Sequence, residues 1–318
     1  MKQKQFEAQY GALWEQITQQ LDGGKGADPT HFPAQYRQLC QCLALARQRG
    51  YSPSLTDYLH GQVLAAHRRL YGTPAERPLT LRHWLGRELP QRVRQEWRLL
   101  LLALLAFWGS TLLVGLLVAH DPQWAYSFSS AGELSQYQSM YAANKGKLGR
   151  TGGEDIAMFG FYIWNNVSIC FRTFAGGLFL GIPALISLVG NGIHGGVIAA
   201  WLSQFDITRI NFWSFVVTHS SFELTGLILS GLAGMRLGLS WLNPGRLSRR
   251  QALMLASQRM YPVLVGAALL TVLAAFFEAF WSAAGTIPPA AKFTVGGICW
   301  AAVIAFFALA GRERHAAR

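Results

Sequence analysis

Charge is scarce in this chain of 318 residues, at 14% of positions, and acid is scarcer than base, with 16 Asp and Glu against 28 Lys and Arg. Cysteine is rarer still: Cys40 and Cys42 lie in a polar N-terminal stretch, Cys170 and Cys299 in apolar runs. That placement excludes a disulfide-stapled secreted domain, and Cys40-x-Cys42 lacks the partners of a zinc site. The chain has no HExxH pair, no nucleophile elbow and no phosphate-binding loop, so the commonest signatures of protease, esterase and nucleotide chemistry are missing. No cofactor is indicated. A net charge of +12 would suit nucleic acid, but no platform of interleaved aromatic and basic residues accompanies it, and nucleic acid is not an expected partner.

What the chain has in abundance is long apolar runs, the mark of a polytopic protein whose main partner is the lipid bilayer. From Leu99 to Ala119 no charge occurs, about the length needed to cross roughly 30 Å of hydrocarbon. Arg77, Arg82, Arg87, Arg92, Arg94 and Arg98 crowd the approach to this span, which places that side in the cytoplasm. The segment 121–157 carries nearly cancelling charges, Lys145 among them, and reads as an outer loop. The later basic clusters, Arg246, Arg249, Arg250 and Arg259, then Arg312, Arg314 and Arg318, read as inside again. Both termini are therefore expected in the cytoplasm of a bacterial inner membrane. Spans over about Tyr261–Trp281 and Thr294–Leu309, joined at Pro288-Pro289, form an outward hairpin.

Between 158 and 242 the chain must cross an odd number of times. Phe171–Val189 is expected to make one crossing, Gly190-Asn191-Gly192 reads as a turn or unwinding, Ile193–Leu202 is short for a span and Ile210–Leu242 long for one. About six crossings, some kinked or discontinuous, satisfy the charge parity. One long helix through Gly190 followed by a re-entrant pair folded at His219–Ser221 satisfies it equally. Residues 1–97 read as a cytoplasmic helical domain and 98–318 as the transmembrane domain of an all-α protein. In the first, apolar positions recur at helical spacing from Phe6 to Leu21 before Gly23-Gly24. They do so again from Tyr36 to Ala46 before Gly50, and from Leu55 to Leu70 after Ser52-Pro53. Thr80 then caps a Trp- and Arg-bearing interfacial helix that ends the domain.

Ionisable and amide side chains inside the apolar region are the candidate site, because each costs a few kcal/mol at bilayer depth unless it meets protein or water. They are His219, Glu223, Asn165, Asn166, Asn191, Arg172, Arg236 and Glu278. Each also has a plain structural reading. The asparagines can cap or join helices, the two arginines can reach the headgroups, and Glu278 falls near the outer end of its span, where a carboxylate costs little. His219 and Glu223 share a face if their helix is continuous. An alternative is a metal-dependent hydrolase on His194, His219 and Glu223, with an open coordination position, although nothing in the sequence brings His194 to the other two.

Several motifs taken together resemble the stage II sporulation protein M family. In the polar head these are Tyr36-Arg37-Gln38-Leu39, Leu43 to Gly50, Tyr58-Leu59 and His67-Arg68-Arg69-Leu70-Tyr71. In the membrane part they are Asn165-Asn166, Phe174-Ala175-Gly176-Gly177, Asn191-Gly192, His219 to Leu224, Ala233 to Gly238 and Glu278-Ala279-Phe280. The resemblance implies an integral inner-membrane protein without defined biochemistry. Its namesake works with cell-wall hydrolases, and relatives with this head accompany MoxR-type ATPase genes. Partners implied are envelope proteins, a MoxR-type ATPase system or further copies of the chain. The function expected on these grounds is a non-enzymatic component of an envelope complex, or a carrier or channel for a small solute. Ser220 stands where the family usually has Gly, which removes some freedom at the proposed break.

Overall fold

The computed structural model describes residues 1–21, 31–71, 81–142, 146–150 and 153–312; Gly23, Gly24, Arg77, Thr80, Lys145, Arg314 and Arg318 lie outside them. Every element longer than a single bridge is helical among these residues. The chain divides into two units, Met1–Leu79 and Thr80–Arg318.

The first unit packs α1 (Gln3–Leu21), α2 (Phe32–Gln48) and α3 (Pro53–Tyr71) around one small core. The apolar positions at threes and fours are the buried ones: Phe6 and Ile17 from α1, Leu39 and Ala46 from α2, Leu59 and Ala66 from α3. Gly50, at φ +64°, supplies the left-handed turn after α2, and Pro53 opens α3 without losing a needed N–H. The Phe6 ring meets Tyr10, Trp14 and Tyr51 at centroid distances of 5.1, 5.6 and 5.2 Å, which closes one end of the core.

The second unit opens with short helical turns from Leu81, then α4 (Leu89–Gln95) and α5 (Trp97–His120). Segment 81–95 belongs with this unit, since Leu89 and Val93 are buried against Met260, Val263 and Ala267. After α6 (Ala131–Met140) come α7 (Asp155–Gly176), α8 (Ile182–Leu202), α9 (Asp206–Leu242), α10 (Arg249–Ser282) and α11 (Pro289–Leu309). Among the described residues five helices, α5 and α8 to α11, are long and apolar enough to cross a membrane. Of the most apolar stretch of α9, 67% is buried, against 17–39% in the other four, so α9 is the axis of the bundle.

The two ends of the bundle are chemically different. At one, Glu96 Oε1 forms ion pairs with Arg236 Nε (3.2 Å) and Arg259 Nη2 (3.1 Å), and Arg94 donates to the carbonyls of Phe307 and Ala310, both at 2.7 Å. At the other, the loop after α6 is strapped down: Leu148 N–H donates to Ala283 O (2.8 Å) and Gly285 N–H to Gly146 O (3.1 Å). Between these ends α7 runs the full distance. It starts at Asp155, which pairs with Lys147 (2.7 Å) and Arg150, and finishes at Gly177 against Gly234. Among the described residues six helices therefore run the length of the bundle. The polar residues of α7 keep it below the apolarity of a simple span.

Three expectations about the middle region fail. Phe171–Val189 is not one crossing but the end of α7, a turn at 177–181 and the start of α8. The turn is tight because Leu180 and Gly181 both take positive φ, +59° and +80°. Gly190-Asn191-Gly192 is not a break, and Ile193–Leu202 is the second half of α8. The small residues serve packing: a Cβ on Gly192 or Gly196 would strike the backbone of α5 at Phe107 and Thr111. Nor is α9 broken or re-entrant at His219–Ser221. It is one helix of 37 residues, in which Ser220 Oγ donates back to Val217 O and Ser221 Oγ to Thr218 O. No freedom at residue 220 is needed.

These contacts separate two glycines. A Cβ on Gly177 would fall within the Gly234 carbonyl, whereas one on Gly190 meets nothing within 4 Å. Gly177→Ala is expected to destabilise the detergent-solubilised protein by about 1–3 kcal/mol through overpacking. Gly190→Ala is expected to stabilise it by about 0.5–1 kcal/mol, as in any helix interior. Thermal unfolding of both variants checks this, and loss of stability in Gly190→Ala would contradict a continuous α8.

Candidate functional site

His219 and Glu223 sit one turn apart on α9 and face the same way, as helical spacing requires. Only 5% of His219 is exposed, and Phe215 packs edge-on against its ring at 5.0 Å. Its Nδ1 lies 3.1 Å from Ser282 Oγ, which fixes the ring and turns Nε2 toward Glu223, 3.8 Å from Oε2. That separation is too long for a hydrogen bond. The third member comes from α10. The last turn of that helix, Phe277–Ser282, is a π-turn, whose extra residue re-aims the side chains that follow. Glu278 is carried inward by it rather than lying at an exposed end of its span.

One donor atom from each of His219, Glu223 and Glu278 falls within 4.8 Å of the others. Glu278 Oε2 and Asn166 Nδ2 are buried with no hydrogen-bond partner, although both residues face the same space. Neither carboxylate is paired to a Lys or Arg among the described residues. The two atoms belong to neighbouring side chains close enough to interact with each other, so they form a polar pair on the cavity wall beside the two carboxylates.

The space they face is a cavity of about 680 Å³. Asn165 and Asn191 line it with them, and so does His194 on the α8 wall. The amides are partly occupied: Asn165 donates to Asn166 Oδ1 (2.9 Å) and Asn191 to Ser187 O (2.8 Å). His194 does not join the three-atom cluster but pairs with the Tyr137 hydroxyl of α6 at 3.2 Å. Burial, with the nearby charge of Glu133, pushes the Tyr137 phenol above its ordinary value, so it stays a neutral hydrogen-bonding group. Arg172 and Arg236 are not cavity residues. Arg172 bonds to Ser168 O beside Phe171 on an outer groove of α7, and Arg236 belongs to the Glu96 cluster.

Two polar residues of the site do not stand out in the sequence. Ser282 is the partner of His219, and Lys292, only 1% exposed, donates its Nζ to Ser282 O at 2.7 Å. Starting the last span at Thr294 leaves Lys292 in a loop. Pro288-Pro289 is the signal that would have moved it, since Pro opens a helix and puts Lys292 one turn inside.

A model of the family described as stage II sporulation protein M matches residues 101–283, more than half of the chain. The chain belongs to that family. All of His219, Glu223, Glu278 and Ser282 fall inside the matched region, whereas Lys292 lies beyond it. A second model, a domain of unknown function (DUF8413), matches residues 4–72, which are the three helices of the first unit. No curated protein and no solved structure matches the chain.

An orphaned buried carboxyl lowers stability, and removing it relieves the cost. Glu278→Leu is expected to raise the thermal midpoint of chelator-treated protein, equivalent to about 1–3 kcal/mol. His219→Ala, which strips Ser282 of its partner and opens a void, is expected to lower it by a similar amount. Differential scanning fluorimetry in detergent reads both.

Proposed function

We infer that this member of the stage II sporulation protein M family is a non-enzymatic membrane protein that binds a small solute in its intramembrane cavity and carries or conducts it across the bilayer. The observation behind this is the combination of a cavity of about 680 Å³ with polar atoms that converge on it from α7, α8, α9 and α10 and remain partly unpaired. A scaffold would pair its polar groups with one another and fill the space, because an unsatisfied polar atom in hydrocarbon costs several kcal/mol. Transporters instead keep such groups near mid-membrane for a ligand. The positive-inside bias supports an orientation with the Arg94, Arg236 and Arg259 end on the cytoplasmic side of a bacterial inner membrane and the loop after α5 outside. Among the described residues the hydroxyl that has His219 as a base beside it, Ser282 Oγ, is fully buried and does not line the cavity, which disfavours hydrolysis by nucleophilic attack as the role of these residues.

Water access decides between this reading and a packed scaffold. A single cysteine at Asn191, in a variant freed of the four native cysteines, is expected to react with a small membrane-impermeant thiol reagent in oriented vesicles. A cysteine at Leu232, fully buried in the bundle core, is expected to stay unlabelled. Protection of position 191 from both faces of the membrane would sink the carrier reading.

A further inference from the structure

We propose that His219, Glu223 and Glu278 are the protein ligands of a divalent first-row transition-metal ion, with zinc as the reference case. The proposal deepens the reading of the cavity as a solute site, on which it rests, by naming the class of solute.

The donor set carries the first part of the argument. One imidazole nitrogen and two carboxylate oxygens lie mutually within 4.8 Å, and the His219–Glu223 separation is 3.8 Å. Donors on a tetrahedral ion with bonds of about 2.1 Å stand ~3.4 Å apart, so small rotations of the two glutamates complete the geometry. An i, i+4 pair on one helix with a third ligand from a neighbour is a natural way to hold three corners of a site. The imidazole nitrogen favours zinc, iron, nickel or copper over magnesium and calcium, which prefer oxygen ligands.

The surroundings supply independent support. Ser282 Oγ at 3.1 Å from Nδ1 fixes the His219 ring with Nε2 toward the carboxylates, the outer hydrogen bond that metal-bound histidines usually have. Lys292 holds the Ser282 carbonyl in turn, so this outer shell is tied to α11. Charge points the same way: two half-buried carboxylates face one cavity without a Lys or Arg salt bridge among the described residues, and a dication offsets both. Glu278 Oε2 makes no hydrogen bond of good geometry, and the neighbouring Asn166 amide is placed to orient the carboxylate as a ligand. Three protein ligands leave a position open to the cavity, so the ion can exchange or hold a further small ligand.

The test uses the full chain in detergent, stripped with chelator and titrated with Zn²⁺ by calorimetry, with elemental analysis of the product. One Zn²⁺ per chain is expected, bound more weakly as pH falls because the ligands must be deprotonated. His219→Gln, Glu223→Gln and Glu278→Gln are each expected to lower affinity at least ~100-fold, and Ser282→Ala about 10- to 100-fold. Wild-type protein that takes up less than about half an equivalent, or triple-ligand variants that bind as wild type does, overturns the proposal. Should a variant fail to fold, Co²⁺ in the wild-type protein gives a second readout. A visible d–d spectrum without thiolate charge transfer is expected, and no spectrum above that of free Co²⁺ counts against the site. Failure here is separable from failure of the carrier reading. Labelling at position 191 without metal binding leaves a cavity for a different solute, whereas metal binding in a sealed cavity leaves a structural ion and no carrier.

Discussion

The bundle depends on helix backbones touching one another along α9. Gly177, at the turn between α7 and α8, sits directly on Gly234, and Gly238 sits directly on Leu180 and Gly181 of the same turn, leaving no room for a side chain at Gly177 or Gly238. In hydrocarbon, apolar side chains gain little by meeting each other rather than lipid, so this close approach and the van der Waals contact it allows supply much of the attraction. Everything polar in the bundle follows from it. With α9 fixed in this way, His219 and Glu223 are presented one turn apart on one face, and α10 can set Glu278 opposite them. The Glu96 carboxylate, shared by Arg236 and Arg259, then ties α5, α9 and α10 together at the arginine-rich end.

Much of this was legible in the sequence, and the parts that were not share a cause. The three helices of the head follow from apolar spacing and from Gly50 and Pro53, because a small soluble bundle has one inside and one outside. The first span and the last hairpin follow from uninterrupted apolar length. The middle does not, because Gly and Asn carry opposite meanings in water and in a bundle. In a soluble chain Gly190-Asn191-Gly192 ends a helix; here Gly192 and Gly196 are where α5 lies against α8, and Asn191 bonds back to its own helix. The long run from Ile210 to Leu242 looked like more than one element because most spans are shorter. It is a single helix with its first turns beneath the segment after α6, where Asn211 donates to Tyr141 O.

The candidate site was readable as a list and not as a place. His219 and Glu223 announce themselves as ionisable residues four apart in an apolar run. Glu278 looks peripheral by position, and only the π-turn at Phe277–Ser282 turns it inward, a distortion that composition does not reveal. Arg172 and Arg236 pass the same sequence filter as the glutamates but lie elsewhere, one on an outer groove and one in the Glu96 cluster. Lys292 escapes the filter because two residues decide whether it belongs to a loop or a helix. Depth along a span and facing within it are set by packing, and a single sequence records neither directly.

The strap over the bundle has a mechanical consequence. Leu148 donates its N–H to the carbonyl of Ala283, and Ala283 is joined by a peptide bond to Ser282, whose hydroxyl holds the His219 ring. The polar loop and the buried imidazole are therefore one covalent step and two hydrogen bonds apart. Displacing 146–148 bears on the segment that carries the Ser282 hydroxyl, and through it on the His219 ring.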